Sequence, residues 1–143
     1  CVLLGRVNSV KLNHDKKFAG CDIGFNVLVR PVMYDSYHGI EIYREGGDSA
    51  PDEASAAPEP VTIVGNICES GDILAKDRLL PPVKEGDILG VLDAGAYGFA
   101  MSSNYNNRLR PAEILIRENG EVVLTRKREC FEDLVKDFVE VEL

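Results

Sequence analysis

The chain has 143 residues and a formal net charge of −8, from 16 Lys and Arg against 24 Asp and Glu. That length suits one domain with one core, burying roughly two-thirds of the surface an unfolded chain exposes, and a hydrophobic share of 45% excludes the disordered class. Basic residues gather only at Arg126-Lys127-Arg128, which excludes a surface able to hold a nucleic-acid backbone.

Short runs rich in Val, Ile and Leu, separated by Gly, Pro, Asn and Asp, predict a mainly β chain. In order, strands are expected near residues 2–11, 18–23, 39–44, 61–67, 72–80, 87–93, 112–118 and 121–127. Residues 45–60 offer almost nothing to bury and read as a flexible surface loop. Val83-Lys84-Glu85-Gly86-Asp87 reads as a tight turn feeding Ile88-Leu89-Gly90-Val91-Leu92. The unbroken apolar character of that second run predicts burial on both faces. Asn119-Gly120 between two apolar runs predicts a hairpin through a type I′ turn, with positive φ at both central residues. Phe131, Leu134, Val135 and Phe138 recur at the three-and-four spacing of one helical face, which predicts a short amphipathic helix packed against the sheet. There is no internal repeat, which sets solenoids and propellers aside.

Cys1, Cys21, Cys68 and Cys130 lie far apart in a chain too large to need stapling. They read as reduced thiols in a cytoplasmic protein. No apolar run approaches a membrane span and no charged-then-apolar leader opens the chain, so neither a transmembrane helix nor a signal peptide is expected. The start Cys1-Val2-Leu3-Leu4, without Met, resembles the middle of a domain.

The cysteines have no close Cys partner and His14 and His38 sit apart, so no metal site is expected. The Walker-type loop, the Gly-x-Ser-x-Gly elbow and His-Glu-x-x-His are absent. His38 beside Tyr37 suits packing or hydrogen bonding better than general-base work, and His14 sits in a polar turn.

Three segments break the rule that strands alternate and loops are polar. In residues 25–34, Arg30 and Tyr34 would share a face if the segment is helical, and an Arg fork with a phenol can hold a carboxylate. The bland alternative is an Arg capping a turn beside a half-buried Tyr. In residues 65–72, Cys68 and Glu69 lie together in a Gly-flanked turn. A thiol there can donate a proton to a reacting carbon, or be a buried, inert Cys beside a surface Glu. In residues 93–106, small residues around Tyr97 admit another surface or a phosphate close to the backbone, or serve packing alone.

Taken in order, these segments resemble the fold-type III pyridoxal-phosphate-dependent decarboxylases of amino acids, and within them the diaminopimelate decarboxylase family. Arg30-Pro31-Val32-Met33-Tyr34 followed by Tyr37-His38 is similar to that family's Arg-Pro-x-x-Tyr segment. Cys68-Glu69-Ser70-Gly71-Asp72 matches its signature at the same relative place, and residues 95–106 match a third. The resemblance covers nearly the whole chain, residues 45–60 being the obvious departure.

The resemblance implies a Greek-key-like β-barrel or sandwich, similar to the C-terminal domain of alanine racemases, with a short C-terminal helix. One edge is expected to lack a strand supplied by a preceding part. It implies conversion of meso-2,6-diaminopimelate to L-lysine and carbon dioxide by a homodimer with shared active sites. Arg30 and Tyr34 grip the distal carboxylate. Cys68 protonates the α-carbon and Glu69 contacts substrate, both completing the partner's site. Tyr97 lies beside substrate and cofactor. The cofactor, pyridoxal 5′-phosphate, is expected to sit in a preceding (β/α)₈ barrel that carries the Schiff-base lysine, so the chain alone is expected to be inactive. Two alternatives stand beside this: another fold-type III amino-acid decarboxylase, or a noncatalytic β-barrel dimerisation module.

Overall fold

The computed structural model describes residues 1–44 and 57–141. All eight expected strands are present: β1 Val2–Asn13, β2 Lys16–Cys21, β3 Ile40–Tyr43, β4 Glu59–Val64, β5 Ile73–Leu80, β6 Ile88–Leu92, β7 Glu113–Ile116 and β8 Val122–Arg126. Two short helices, α1 Arg30–Tyr34 and α2 Phe131–Val135, and a 3₁₀ turn at Tyr105–Asn107 complete the elements. Most of the loop expected at 45–60 lies outside the described residues, while its last two positions, Glu59 and Pro60, already belong to β4. Among the described residues no helix is long and apolar enough to cross a membrane.

The chain divides into two compact units, Cys1–Ser102 and Ser103–Leu143. The first is a curled six-stranded sheet in the order β3-β6-β1-β2-β4-β5, antiparallel except for the parallel β2–β4 pair. The curl follows from β1, which is long enough to serve two partners in succession. Val2–Arg6 pairs with β6, and from Val7 onward the strand pairs with β2 after a shift in register between Val7 and Ser9. Such an irregularity bends a strand and strengthens its twist. At the changeover Asp22 Oδ1 accepts the Arg6 amide at 2.7 Å.

Inside the curl lies one apolar core that includes Val7, Leu28, Val61, Ile63, Leu89 and Val91, all nearly inaccessible. Each such side chain contributes about 1.5–3 kcal/mol of transfer free energy. Leu89, Gly90 and Val91 are all buried, so β6 is covered on both faces as its apolar run predicts. Cys21 is buried with its thiol between the carbonyls of Ile23 and Val64, and desolvation pushes it up to about 12. All four thiols are free.

The second unit contains the β7–β8 hairpin and α2, and none of its described residues is buried. Two expectations change here. The hairpin exists, but Gly120 alone takes positive φ (84°), and its amide bonds to Arg117 O at 2.8 Å. The loop is therefore a three-residue turn whose Gly occupies the left-handed position, with the Asn119 side chain accepting from the Glu121 amide. The helix also exists, with Cys130 as N-cap and Asp133 returning the capping bond. It is one turn long, Phe138 falls beyond it, and no residue of it is buried, so the burial predicted for its apolar face is not met. Glu129 organises this unit by accepting from the Asn104 amide group and from the backbone and guanidinium of Arg110.

Candidate functional site

Residues 22–29 join β2 to α1 through consecutive turn hydrogen bonds. The amides of Val27 and Leu28 both donate to Gly24 O, and Val27 and Leu28 drop their side chains into the core. Val29 then caps α1 at its start, where Pro31 fits because the first helical turn leaves its amides unpaired. Asp35 ends the helix in the left-handed region, φ 52°. The segment is helical, so Arg30 and Tyr34 do share a face.

That face meets a second turn. The Arg30 guanidinium carbon lies 6.0 Å from the centre of the Tyr34 ring and 5.6 Å from the centre of the Tyr97 ring. Tyr97 follows β6, in a turn closed by the Gly98 amide on Gly95 O and the Met101 amide on Tyr97 O. Its backbone is left-handed at φ 64° while its side chain is 62% exposed. A tyrosine costs about 1–2 kcal/mol in that region, and observed strain of this kind points toward function. Among the described residues no carboxylate forms an ion pair with Arg30. A guanidinium flanked by two phenols and lacking an internal counter-ion can receive an external carboxylate.

Cys68 and Glu69 sit in the turn between β4 and β5, and both are exposed. The buried, inert thiol weighed above is thereby set aside. The Glu69 amide bonds to Ile67 O at 2.8 Å, and its carboxylate faces the Gly71 amide at 3.4 Å. No hydrogen bond or ring contact ties Cys68 or Glu69 to Arg30, Tyr34 or Tyr97 among the described residues. The site residues therefore form two groups: Arg30 with the two tyrosines, and the thiol with its neighbouring carboxylate.

Three further residues support these groups, and of them only His38 was given a role from the sequence. Asp72, buried at the end of the Cys68 turn, accepts the Phe25 amide at 2.7 Å and the Ile67 amide at 2.8 Å. Burial raises its carboxyl above the usual range, against the lowering effect of those two amides. Arg78 of β5 lies 3.8 Å from the centre of the Tyr37 ring and donates to His38 O at 2.9 Å, pinning the chain just after α1. His38 is buried with Nδ1 against Leu92 O at 2.9 Å, a hydrogen-bonding role as its sequence context suggests. An acid closing a Gly-rich turn was the only sequence hint for Asp72.

The family model described as the C-terminal sheet domain of pyridoxal-dependent decarboxylases matches residues 1–95. The chain belongs to this family. This sheet domain is 52% identical over 134 residues to the diaminopimelate decarboxylase of Methanothermobacter thermautotrophicus, covering 94% of the chain and 29% of that relative. It is 49% identical over 136 residues to that of Archaeoglobus fulgidus, covering 94% of the chain and 30% of the relative. It superposes on a Helicobacter pylori diaminopimelate decarboxylase crystallised with L-lysine at a TM-score of 0.80, with 32% identity over 94% of the chain and 31% of that structure. The chain thus spans under a third of the length of these relatives.

The family's dependence on pyridoxal raises the question of what this sheet domain could offer such a group. Tyr97 fits one contact, because its ring is exposed on a strained turn next to a guanidinium.

Proposed function

We propose that this chain is the sheet domain of a homodimeric cytoplasmic decarboxylase that converts meso-2,6-diaminopimelate to L-lysine and carbon dioxide. The observation that carries the reading is the Arg30 guanidinium, within 6.0 Å of both the Tyr34 and Tyr97 ring centres and with no ion-pair partner among the described residues. A substrate with a second carboxylate supplies the missing charge, with Arg30 as the fork and the Tyr34 phenol beside it. A distal ammonium, as in ornithine- or lysine-type substrates, would be repelled there. Pyridoxal phosphate, when bound, supplies the electron sink for carbon dioxide loss, and Tyr97 would be the residue of this chain that contacts it and the substrate.

Cys68 donates the proton that replaces the lost carboxylate at the α-carbon, and Glu69 orients the substrate from the same turn. The lack of any bond between the thiol group and the Arg30 group is consistent with the two serving different sites of a dimer, each subunit's turn completing its partner's site. The alternative of a noncatalytic dimerisation module accounts for the fold but leaves Arg30 unexplained.

The test is steady-state kinetics on the full-length enzyme carrying this domain, with Arg30→Ala. Loss of a charge-assisted pair of bonds predicts a rise in KM for diaminopimelate of roughly ten- to a hundredfold. An unchanged KM would overturn the assignment.

A further inference from the structure

We propose that Asp72 is a positioning residue that holds the Arg30 helix and the Cys68 turn in one fixed relation, by accepting a backbone amide from the segment that leads into each. This rests on the roles proposed above for Arg30 and Cys68.

The carboxylate divides its two oxygens between two segments far apart in sequence. Oδ1 takes the Phe25 amide at 2.7 Å and Oδ2 takes the Ile67 amide at 2.8 Å. Phe25 opens the turn that runs, through the Val27 and Leu28 amides on Gly24 O and the Val32 and Met33 amides on Val29 O, directly into Arg30. Ile67 immediately precedes Cys68. On that side Asp72 also closes the turn with its own backbone: its amide donates to Glu69 O at 3.0 Å and its carbonyl accepts the Gly65 amide at 3.0 Å. Every link between the carboxylate and the two functional groups is therefore a short run of hydrogen-bonded backbone.

The packing around Asp72 is built for this approach. A Cβ on Gly24 would stand 2.7 Å from Oδ2, and one on Gly65 would overlap the carboxylate and come within 2.5 Å of Gly24 Cα. The two glycines lie directly against each other beside the carboxylate, so that both segments can close on it. The helix lies beside the turn, since a Cβ added to Gly71 would stand 3.7 Å from Val32 Cγ1. Among the described residues no cation pairs with Asp72.

A buried carboxylate with no counter-ion is costly. An apolar residue could fill the space but would leave both amides unpaired, whereas a carboxylate presents a separate acceptor to each of them. Asparagine is the same size and turns one acceptor into a donor, so one of the two segments loses its tether. Where reacting groups must be held to a fraction of an ångström, a displacement of about 1 Å costs about a hundredfold in rate.

The experiment is Asp72→Asn in the full-length enzyme, read by hydrogen exchange and by kinetics. Peptides spanning residues 24–29 or 65–71 should exchange at least tenfold faster while the rest of the sheet is unchanged. Per folded enzyme, KM should rise or kcat fall at least tenfold, and the kcat loss should shrink when Cys68→Ala is already present. Unchanged exchange in both segments overturns the proposal, as does a lowered Tm with kcat and KM intact, the outcome of a merely structural residue.

Should the Asn variant fail to fold, Phe25→Pro removes one donor and leaves the carboxylate in place. It should raise KM while residues 65–71 keep their protection, and unchanged kinetics overturn the proposal. An Arg30→Ala enzyme with normal KM would instead defeat the substrate assignment, and the exchange measurement would still report on Asp72.

Discussion

Arg44 grips Asp87 with two guanidinium hydrogen bonds of 2.8 Å each, and the same guanidinium reaches Pro82 O at 2.7 Å. The pair ties the chain after β3 to the turn before β6. Burial alone would raise the Asp87 carboxyl, but the Arg44 fork and the Lys84 amide overcome it and hold it below the usual carboxylate range. A lowered folded pKa contributes stability that is present above the unfolded carboxyl's pKa and is lost as pH falls through the folded one. Asp72 runs the other way: with its pKa raised, its contribution is fully present below the unfolded pKa and declines as pH rises through the folded value.

Urea unfolding between pH 3 and pH 7 should therefore separate the two. Arg44→Ala should lower stability at neutral pH by about 2 kcal/mol, less than a fully buried pair because the Arg44 side chain is 30% exposed. It should also flatten the acid limb. An acid limb as steep as that of the unmodified protein would show that Asp87 does not carry it.

Gly65→Ala should destabilise the domain by about 1–3 kcal/mol, because the added methyl overlaps the Asp72 carboxylate and meets the backbone of Gly24. A flexible side chain could swing aside, but a carboxylate held by two amides and a neighbouring backbone cannot. Gly86→Ala meets nothing within 4 Å, and there the cost is confined to a φ of 92°. A midpoint for Gly65→Ala equal to that of the unmodified protein would mean that the two turns have room to separate.

Most of the fold was legible in the sequence because its strands carry it locally. The unbroken run Ile88–Leu92 reports a strand covered on both faces, and Gly86 reports the turn before it. The Arg30 and Tyr34 spacing became meaningful once the segment proved helical, since three-and-four neighbours share a face. What sequence could not show was Tyr97 facing Arg30, because the two are 67 positions apart and the contact depends on how the sheet curls. The role of Asp72 was hidden for the same reason: its partners are backbone amides, and any residue type supplies those. The helical periodicity near the C-terminus overstated α2, since an apolar stripe predicts burial but does not supply the surface that buries it.

Thiol labelling of the folded protein should distinguish Cys21 from Cys68. Cys21 is buried, donates to two carbonyls and is pushed up to about 12, so the reactive thiolate is scarce and shielded. Cys68 is exposed. Iodoacetamide at pH 8, followed by peptide mass spectrometry, should modify Cys68 while leaving Cys21 untouched until urea unfolds the sheet. Modification of Cys21 under native conditions would mean that the β2–β4 seam opens readily.

Tyr97 should show stability and function pulling against each other. Its ring stands 5.6 Å from the Arg30 guanidinium while its backbone sits at φ 64°, a conformation glycine adopts freely and tyrosine does not. Tyr97→Gly relieves that strain and should raise stability by about 1 kcal/mol, the exposed ring contributing little burial in return. The same change removes one of the two rings that hold Arg30, so KM for a dicarboxylate substrate should rise in the full-length enzyme. Tyr97→Phe keeps the ring and the strain, and should leave both stability and KM close to their original values. If the glycine variant is less stable and binds substrate as well as the unmodified enzyme, the strained turn is a packing feature and Tyr97 has no part in holding Arg30.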